Sequence, residues 1–172
     1  MASLRSSRYT IGAGLLAGEA EMAYRKSFVV RWSECDANGH LRNTAYSEYA
    51  IETRMGFLAE NGFPYGRFKE AALGPVIQRE EIDYLRELHL GDTVELDFKA
   101  LGTSPEGGRF KLAHDFYGSG GERVARIVIR GGWLDLRTRK LRAPPDDLLR
   151  VVNLLERVEP WEELPAIGRR EA

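Results

Sequence analysis

The order of apolar and polar residues predicts one strand, then a long helix, then a series of strands. Residues 26–32 are rich in β-branched and aromatic types, which is typical of a strand. Residues 43–60 carry apolar side chains at helical spacing. The helix is expected to stop at Asn61-Gly62, because both residues tolerate the left-handed conformation that ends many helices.

The second half of the chain reads as strands joined by tight turns. Apolar and polar residues alternate most cleanly over 93–100, and the expected strands cover 76–85, 93–100, 110–116 and 122–136. Tight turns join antiparallel neighbours. The sequence therefore predicts a two-layer α+β domain, with an antiparallel sheet of about five strands curled around one long helix.

Both ends of the chain lie outside this pattern. Residues 1–24 are expected to form an N-terminal extension. Their order of basic and apolar parts is that of a targeting peptide, but glycines break the apolar part, which argues against this interpretation. A short amphipathic helix is expected over 146–155, and a polar tail over 158–172. One domain is thus predicted over residues 25–157.

Composition excludes several classes of function. The chain has 172 residues, 43% of them hydrophobic, and 25 Lys and Arg against 26 Asp and Glu. This balance argues against nucleic acid as a partner, because such binding depends on excess positive charge. No apolar run approaches the ~20 residues that span a bilayer, so no membrane partner is expected. With Cys35 as the single cysteine, no intrachain disulfide, metal site or cofactor is predicted, and a cytoplasmic location is expected.

A polar turn between the first strand and the long helix carries the candidate chemistry. It contains Asp36, Asn38 and His40, and the helix is expected to begin with Asn43 or Thr44 as its cap. A helix N-terminus offers unpaired N–H groups and partial positive charge, which can stabilise an oxyanion. A carboxylate opposite it can act as general base or nucleophile. These residues indicate acyl transfer to water, although the same residue types also build plain turns.

The residues around this turn occur in the order seen in a known family. The stretch RWSECDANGH at 31–40, followed by NTAY at 43–46, resembles the opening of hotdog-fold thioesterases of the 4-hydroxybenzoyl-CoA thioesterase type. Three later stretches fit the same family in order and spacing, namely 84–92, 122–136 and 142–145. The resemblance covers about residues 25–157, and it implies a hotdog fold and thioester hydrolysis.

The resemblance also implies roles for individual residues. Asp36 falls at the position of the family's catalytic aspartate, where it would activate water or form a transient anhydride. Asn43 falls at the helix start, whose backbone N–H is expected to polarise the thioester carbonyl. Asn38 and His40 match positions assigned to catalysis in plant acyl-carrier-protein thioesterases.

Two further residues are expected beside the substrate. Glu87 matches a glutamate of the plant enzymes, and Tyr46 lies near the proposed site. Many bacterial relatives have an apolar residue where His40 stands. The resemblance therefore leaves two roles open for His40, one in the chemistry and one in holding the turn.

The implied partners follow from the same family. The substrate is expected to be an acyl-CoA or an acyl carrier protein thioester, and the chain is expected to form a homodimer or homotetramer. Three alternatives remain: a hotdog enoyl-CoA hydratase or dehydratase, a non-catalytic acyl-CoA-binding module, and a structural hotdog subunit. The hydratases have a longer Asp-to-His interval and a proline after the Asn, which this chain lacks.

Overall fold

The computed structural model describes residues 24–168. The N-terminal extension expected over 1–24 therefore lies almost entirely outside the described residues. Within the described range the chain forms a sheet of six strands and three helices. Their bounds are β1 Tyr24–Val29, α1 Asn43–Glu60, α2 Tyr65–Glu70, β2 Leu73–Tyr84, β3 Thr93–Thr103, β4 Arg109–Tyr117, β5 Arg123–Asp135, α3 Asp146–Val152 and β6 Glu156–Glu163.

The strands form one sheet in the order β1-β3-β4-β5-β2, and every neighbour in this series is antiparallel. The sixth strand, β6, runs parallel to β3. It shares one edge of β3 with β1: β1 pairs with residues 93–98 and β6 with residues 99–103. The antiparallel sheet of about five strands is therefore confirmed, with one additional parallel strand.

The long helix packs against the sheet as the periodicity predicts. Helix α1 spans the predicted residues, and its buried side chains include Tyr46 and Phe57. Phe57 meets Phe98 of β3 edge to face, with ring centroids 5.4 Å apart. On β5, Ile127 and Ile129 are fully buried, as the alternation along that strand predicts. One apolar core thus joins the helix to the sheet.

The paired glycines of β5 permit close strand packing. A Cβ atom at Gly131 would lie only 2.1 Å from the backbone oxygen of Val76 on β2. The pairing register shifts on β2 between Ile77 and Arg79, directly beside this contact. The bulge therefore lies on β2, opposite Gly131-Gly132, and Gly131 supplies the space that the neighbouring backbone needs.

The C-terminal region differs from the prediction. A polar tail is expected over 158–172, but Glu156–Glu163 forms β6. The Glu162 carboxylate forms ion pairs with Lys111 of β4 and Arg130 of β5, each at 2.7 Å. The acidic, proline-containing sequence does not predict a strand here, because the strand depends on these partners that are distant in sequence.

Two predicted bounds also differ in length. The first strand ends at Val29 rather than at residue 32, because residues Trp32–Glu34 form a 3-10 turn. Helix α3 ends at Val152 rather than at residue 155. None of the helices within residues 24–168 is long and apolar enough to cross a membrane.

Candidate active site

The polar turn folds as a small hairpin ahead of α1. Cys35 and Leu41 form an antiparallel bridge, and the Asp36 N–H donates to the His40 carbonyl at 2.8 Å. Gly39 closes the loop with a φ of 80°, a conformation that glycine adopts without steric cost. The hairpin gives Asp36 and His40 fixed positions beside the helix start.

The Asp36 carboxylate is held by the backbone of its own loop. Its Oδ1 accepts hydrogen bonds from the N–H groups of Asn38 at 2.8 Å and His40 at 3.1 Å. These donors, with His40 contributing most, lower the pKa of Asp36, and the Asn38 side chain also bonds the carboxyl. The group is thus ionised at neutral pH, which suits a general base or a nucleophile.

A second carboxylate two residues earlier anchors the turn. Glu34 is buried and accepts hydrogen bonds from Arg31 Nε at 3.0 Å and from the Tyr49 hydroxyl at 2.6 Å. The bonds from Arg31 make the largest contribution in lowering the pKa of Glu34 to about 2. No local spacing in the sequence signals that Glu34 and Tyr49 meet, so this role could not be predicted.

The start of α1 differs from the prediction in its cap. Arg42, rather than Asn43 or Thr44, is the N-cap residue, and no side chain caps the helix within the described chain. The Arg42 guanidinium instead bonds the Ser33 carbonyl and, at 2.8 Å, the Thr44 hydroxyl. The first-turn amides of the helix are therefore left without the side-chain acceptor that most helices have.

A neighbouring segment brings Glu87 to the turn. The Leu41 N–H donates to the Leu88 carbonyl at 2.7 Å, and His40 forms an antiparallel bridge with His89. His40 Nε2 consequently lies 3.4 Å from Glu87 Oε2. Two residues far apart in sequence are thus adjacent in the fold.

These groups border an open cleft of about 440 Å³. Tyr46 forms one wall: burial raises the pKa of its hydroxyl to about 12, and its ring meets that of Tyr84 at 5.1 Å. The lining brings together five residues singled out from the sequence, namely Asp36, His40, Asn43, Tyr46 and Glu87. Asn38 lies outside the lining, and its contact with the site is through the Asp36 carboxyl.

Four lining residues were not singled out from the sequence. One is Leu41 of the polar turn, and the others are Tyr84, Leu85 and Arg86, which follow each other at the end of β2. Their stretch carries part of the family resemblance, but strand periodicity alone does not show that it faces the polar turn. Arg86 places a cation at the cleft.

A second cavity lies between α1 and the sheet and differs in chemistry. It holds about 40 Å³, and eleven of its twelve lining residues are apolar. The exception is Arg54, whose Nη1 lies 3.3 Å from Nε2 of the buried His114. His114 Nδ1 in turn lies 2.7 Å from the Asp97 carbonyl oxygen. Both ring nitrogens of this fully buried histidine therefore have polar partners.

The sheet packs on a long helix, and an aspartate and the helix start line one cleft. The chain belongs to the Thioesterase-like superfamily, whose family model matches residues 30–152. The predicted hotdog fold is thereby confirmed.

Solved structures share the fold at low sequence identity. A Staphylococcus aureus protein solved in complex with CoA is 16% identical, with a TM-score of 0.75, over 91% of this chain and 99% of its own. A 1,4-dihydroxy-2-naphthoyl-CoA thioesterase from Synechocystis is 14% identical, with a TM-score of 0.69, over 77% of this chain and 96% of its own. Identities this low establish the shared fold alone.

A curated protein of Aquifex aeolicus (strain VF5), named "Putative esterase", is 31% identical over 67 residues. The match covers 39% of this chain and 52% of that protein. The chain therefore matches about half the length of this relative.

Proposed function

We propose that the protein hydrolyses an acyl-CoA thioester to a free carboxylic acid and CoA. The observation that carries this proposal is that Asp36, an ionised carboxylate, and Asn43, at the uncapped start of α1, line the same cleft. Membership of the Thioesterase-like superfamily supports the reaction class. The roles of the individual residues are part of the proposal.

In the proposed reaction, the thioester carbonyl oxygen accepts a hydrogen bond from the Asn43 N–H. The Asp36 carboxylate takes a proton from a water molecule, whose oxygen attacks the carbonyl carbon. The helix dipole and the first-turn amides stabilise the oxyanion that forms. Its collapse breaks the carbon–sulfur bond, and CoA leaves as a thiolate that then takes up a proton. In the alternative route, the Asp36 carboxylate attacks the carbonyl itself and expels CoA as a thiolate, and water then opens the resulting anhydride to release the free acid and restore Asp36.

The neighbouring side chains support this assignment. His40 and Asn38 hold the Asp36 carboxylate through one backbone N–H each, and Asn38 adds a side-chain bond. Glu87 lies against the His40 ring and holds it at the cleft. Tyr46 stays neutral and offers an aromatic wall to the acyl group. Arg86 is placed to meet a phosphate of CoA.

The acyl group is proposed to be aromatic or otherwise bulky and planar. The tyrosine pair at the cleft favours stacking against a ring. Two solved relatives are described as acting on aromatic substrates: the Synechocystis 1,4-dihydroxy-2-naphthoyl-CoA thioesterase and a gentisyl-coenzyme A thioesterase. The chain is further proposed to form a homodimer or homotetramer, because β2 leaves an outer sheet edge open to a second copy. A cytoplasmic location is part of the same proposal.

The test is hydrolysis of a panel of aromatic, short, branched and long acyl-CoAs, followed by thiol release. Asp36→Asn is expected to lower kcat by at least about 100-fold, since it removes the base while keeping the loop's hydrogen-bond acceptor. Asp83→Asn is the matched control, because Asp83 is an exposed carboxylate on β2 outside the cleft lining. Equal turnover by Asp36→Asn and the parent would refute the assignment, and hydration of crotonyl-CoA without thiol release would favour the hydratase alternative.

A further inference from the structure

Three metal-ligating side chains converge at the rim of the cleft. They are His40, Glu87 and His89, and one ligand atom from each lies within 4.8 Å of the other two. From this geometry we propose that the chain binds one divalent transition-metal ion, with zinc as the expected occupant, at these three residues. The binding itself does not depend on the proposed function; its effect on turnover does.

The backbone places the three side chains on one side of a two-stranded ribbon. His40 and His89 are opposite each other in an antiparallel bridge, and their rings meet edge to face with centroids 4.9 Å apart. Glu87 and His89 flank Leu88, which is 3% exposed and points into the core. Because alternate side chains of an extended segment share a face, Glu87 and His89 both project to the solvent side, next to His40.

The distances are close to those of a formed site. His40 Nε2 and Glu87 Oε2 are already 3.4 Å apart. Zinc bonds of 2.0–2.2 Å in tetrahedral geometry put ligand atoms ~3.4 Å from each other. Glu87 and His89 are exposed, so their side chains can rotate to close the remaining gap without disturbing the core.

A further carboxylate is positioned to orient one ligand. Asp92 Oδ2 accepts the His89 backbone N–H at 2.7 Å and lies 3.7 Å from His89 Nδ1. Metal-bound histidines usually direct the free ring N–H at such a carboxylate. A small rotation of the His89 ring that brings its Nδ1–H onto Asp92 leaves Nε2 to bind the ion.

The ligand set selects the kind of ion. Two imidazoles and one carboxylate suit zinc, copper or nickel, whereas magnesium and calcium prefer oxygen ligands throughout. Three protein ligands leave one zinc coordination position for water or for a ligand from solution.

The site shares His40 with the proposed catalytic cleft. An ion on the His40 ring and Glu87 would occupy groups that otherwise face the substrate. Zinc is therefore expected to inhibit turnover reversibly, with recovery on addition of a chelator.

The experiment is a calorimetric titration of zinc chloride into the full-length protein in a non-chelating buffer. We expect one saturable ion per chain for the parent. His89→Asn is expected to weaken binding by at least about 100-fold, because loss of a partner behind a ligand already costs about 10–100-fold. Cys35→Ser is the control for thiol binding and is expected to bind like the parent. The absence of saturable binding at micromolar zinc, or equal affinity in His89→Asn, would overturn the proposal.

Hydrolysis supplies the second measurement, followed by loss of thioester absorbance so that the affinity of released CoA for zinc does not enter. His89→Asn is expected to keep the activity of the parent without zinc and to lose the inhibition. Inhibition of both proteins to the same degree would contradict the coupling to His40. A chain that binds zinc at one site but hydrolyses no thioester would support the metal site and contradict only the proposed function.

Discussion

Two histidines of this protein occupy opposite environments. His114 belongs to β4 and has no exposed surface, and its ring stacks on that of Phe98 with the centroids 4.8 Å apart. His40 lies at the rim of an open cleft, partly exposed, with Glu87 beside one ring nitrogen. The first histidine is surrounded by the molecule itself, and the second is accessible to a ligand.

The partners of the ring nitrogens distinguish a structural histidine from a reactive one. Burial is the main reason that the pKa of His114 falls to about 3, so the ring is neutral and carries its proton on Nδ1 toward the Asp97 carbonyl. Its Nε2 accepts from Arg54. Both nitrogens are thus committed to internal partners. His40 keeps a ring nitrogen in a cleft that also holds an ionised aspartate.

The largest expected effect is on the buried histidine. His114→Phe keeps a ring against Phe98 but removes the acceptor for the half-buried Arg54 guanidinium and the donor to the carbonyl of buried Asp97. The free energy of unfolding is expected to fall by about 3 kcal/mol, the upper range for an unsatisfied buried polar group. Urea denaturation measures this change, with His89→Asn as an exposed control expected to shift it by less than about 0.5 kcal/mol.

The same variant is expected to retain turnover per folded molecule. A loss of kcat at a temperature where His114→Phe is fully folded would place His114 in the reaction. The contrast between the two histidines would then be wrong.

The second prediction concerns pH. The pKa of His114 is about 3 in the folded protein against an ordinary value of 6.5, so only the unfolded chain takes up this proton as pH falls below 6.5. Stability from this group is therefore present above pH 6.5 and lost toward pH 3. Between pH 6.5 and 4.5 the expected loss is about 2 kcal/mol.

Glu34 adds a second acid-sensitive contribution at lower pH. Its pKa is about 2 against an ordinary value of 4.5, so its stabilisation is present above pH 4.5 and lost as pH falls toward 2. Denaturation midpoints measured from pH 7 to 2 separate the two groups, because the loss from Glu34 begins only below pH 4.5. His114→Phe is expected to flatten the curve between pH 6.5 and 4.5, and an unchanged slope would contradict the assignment.

The smallest expected effect is on the cleft histidine. His40→Asn keeps the backbone N–H that Asp36 accepts but removes the ring, and we expect kcat to fall about tenfold, or about 1.4 kcal/mol. Stability is expected to stay within about 0.5 kcal/mol, because the residue is at the surface. Thioester hydrolysis and urea denaturation together provide the check. Unchanged turnover would contradict a role of the His40 ring in the reaction and would restrict that residue to holding the loop.

Local signals account for much of the fold. Helix α1 was predicted from its apolar spacing and its Asn-Gly end, and both bounds agree with the structure. Strand alternation located β3 and the buried face of β5. These features depend on near neighbours in the chain, and the sequence displays them directly.

Other features depend on distant partners and could not be predicted. Strand β6 is held by pairing with β3 and by the ion pairs of Glu162, none of which is local. Arg42 occupies the cap position of α1, and its side chain reaches back to the Ser33 carbonyl. In the site, Asp36 and Asn43 lie close in sequence and were found there. The contact of His40 with His89 requires the pairing of two segments about fifty residues apart in sequence.

The shared coverage of β3 by β1 and β6 limits how copies of this chain can join. On that side of the sheet the outer edge is divided between β1 and β6, strands of 6 and 8 residues, whereas β2 presents 12 residues on the opposite edge. A copy that docks on β2 uses up the same strand of its partner. Pairing through β2 therefore joins two chains as a closed pair, and any further main-chain pairing has to use the divided edge.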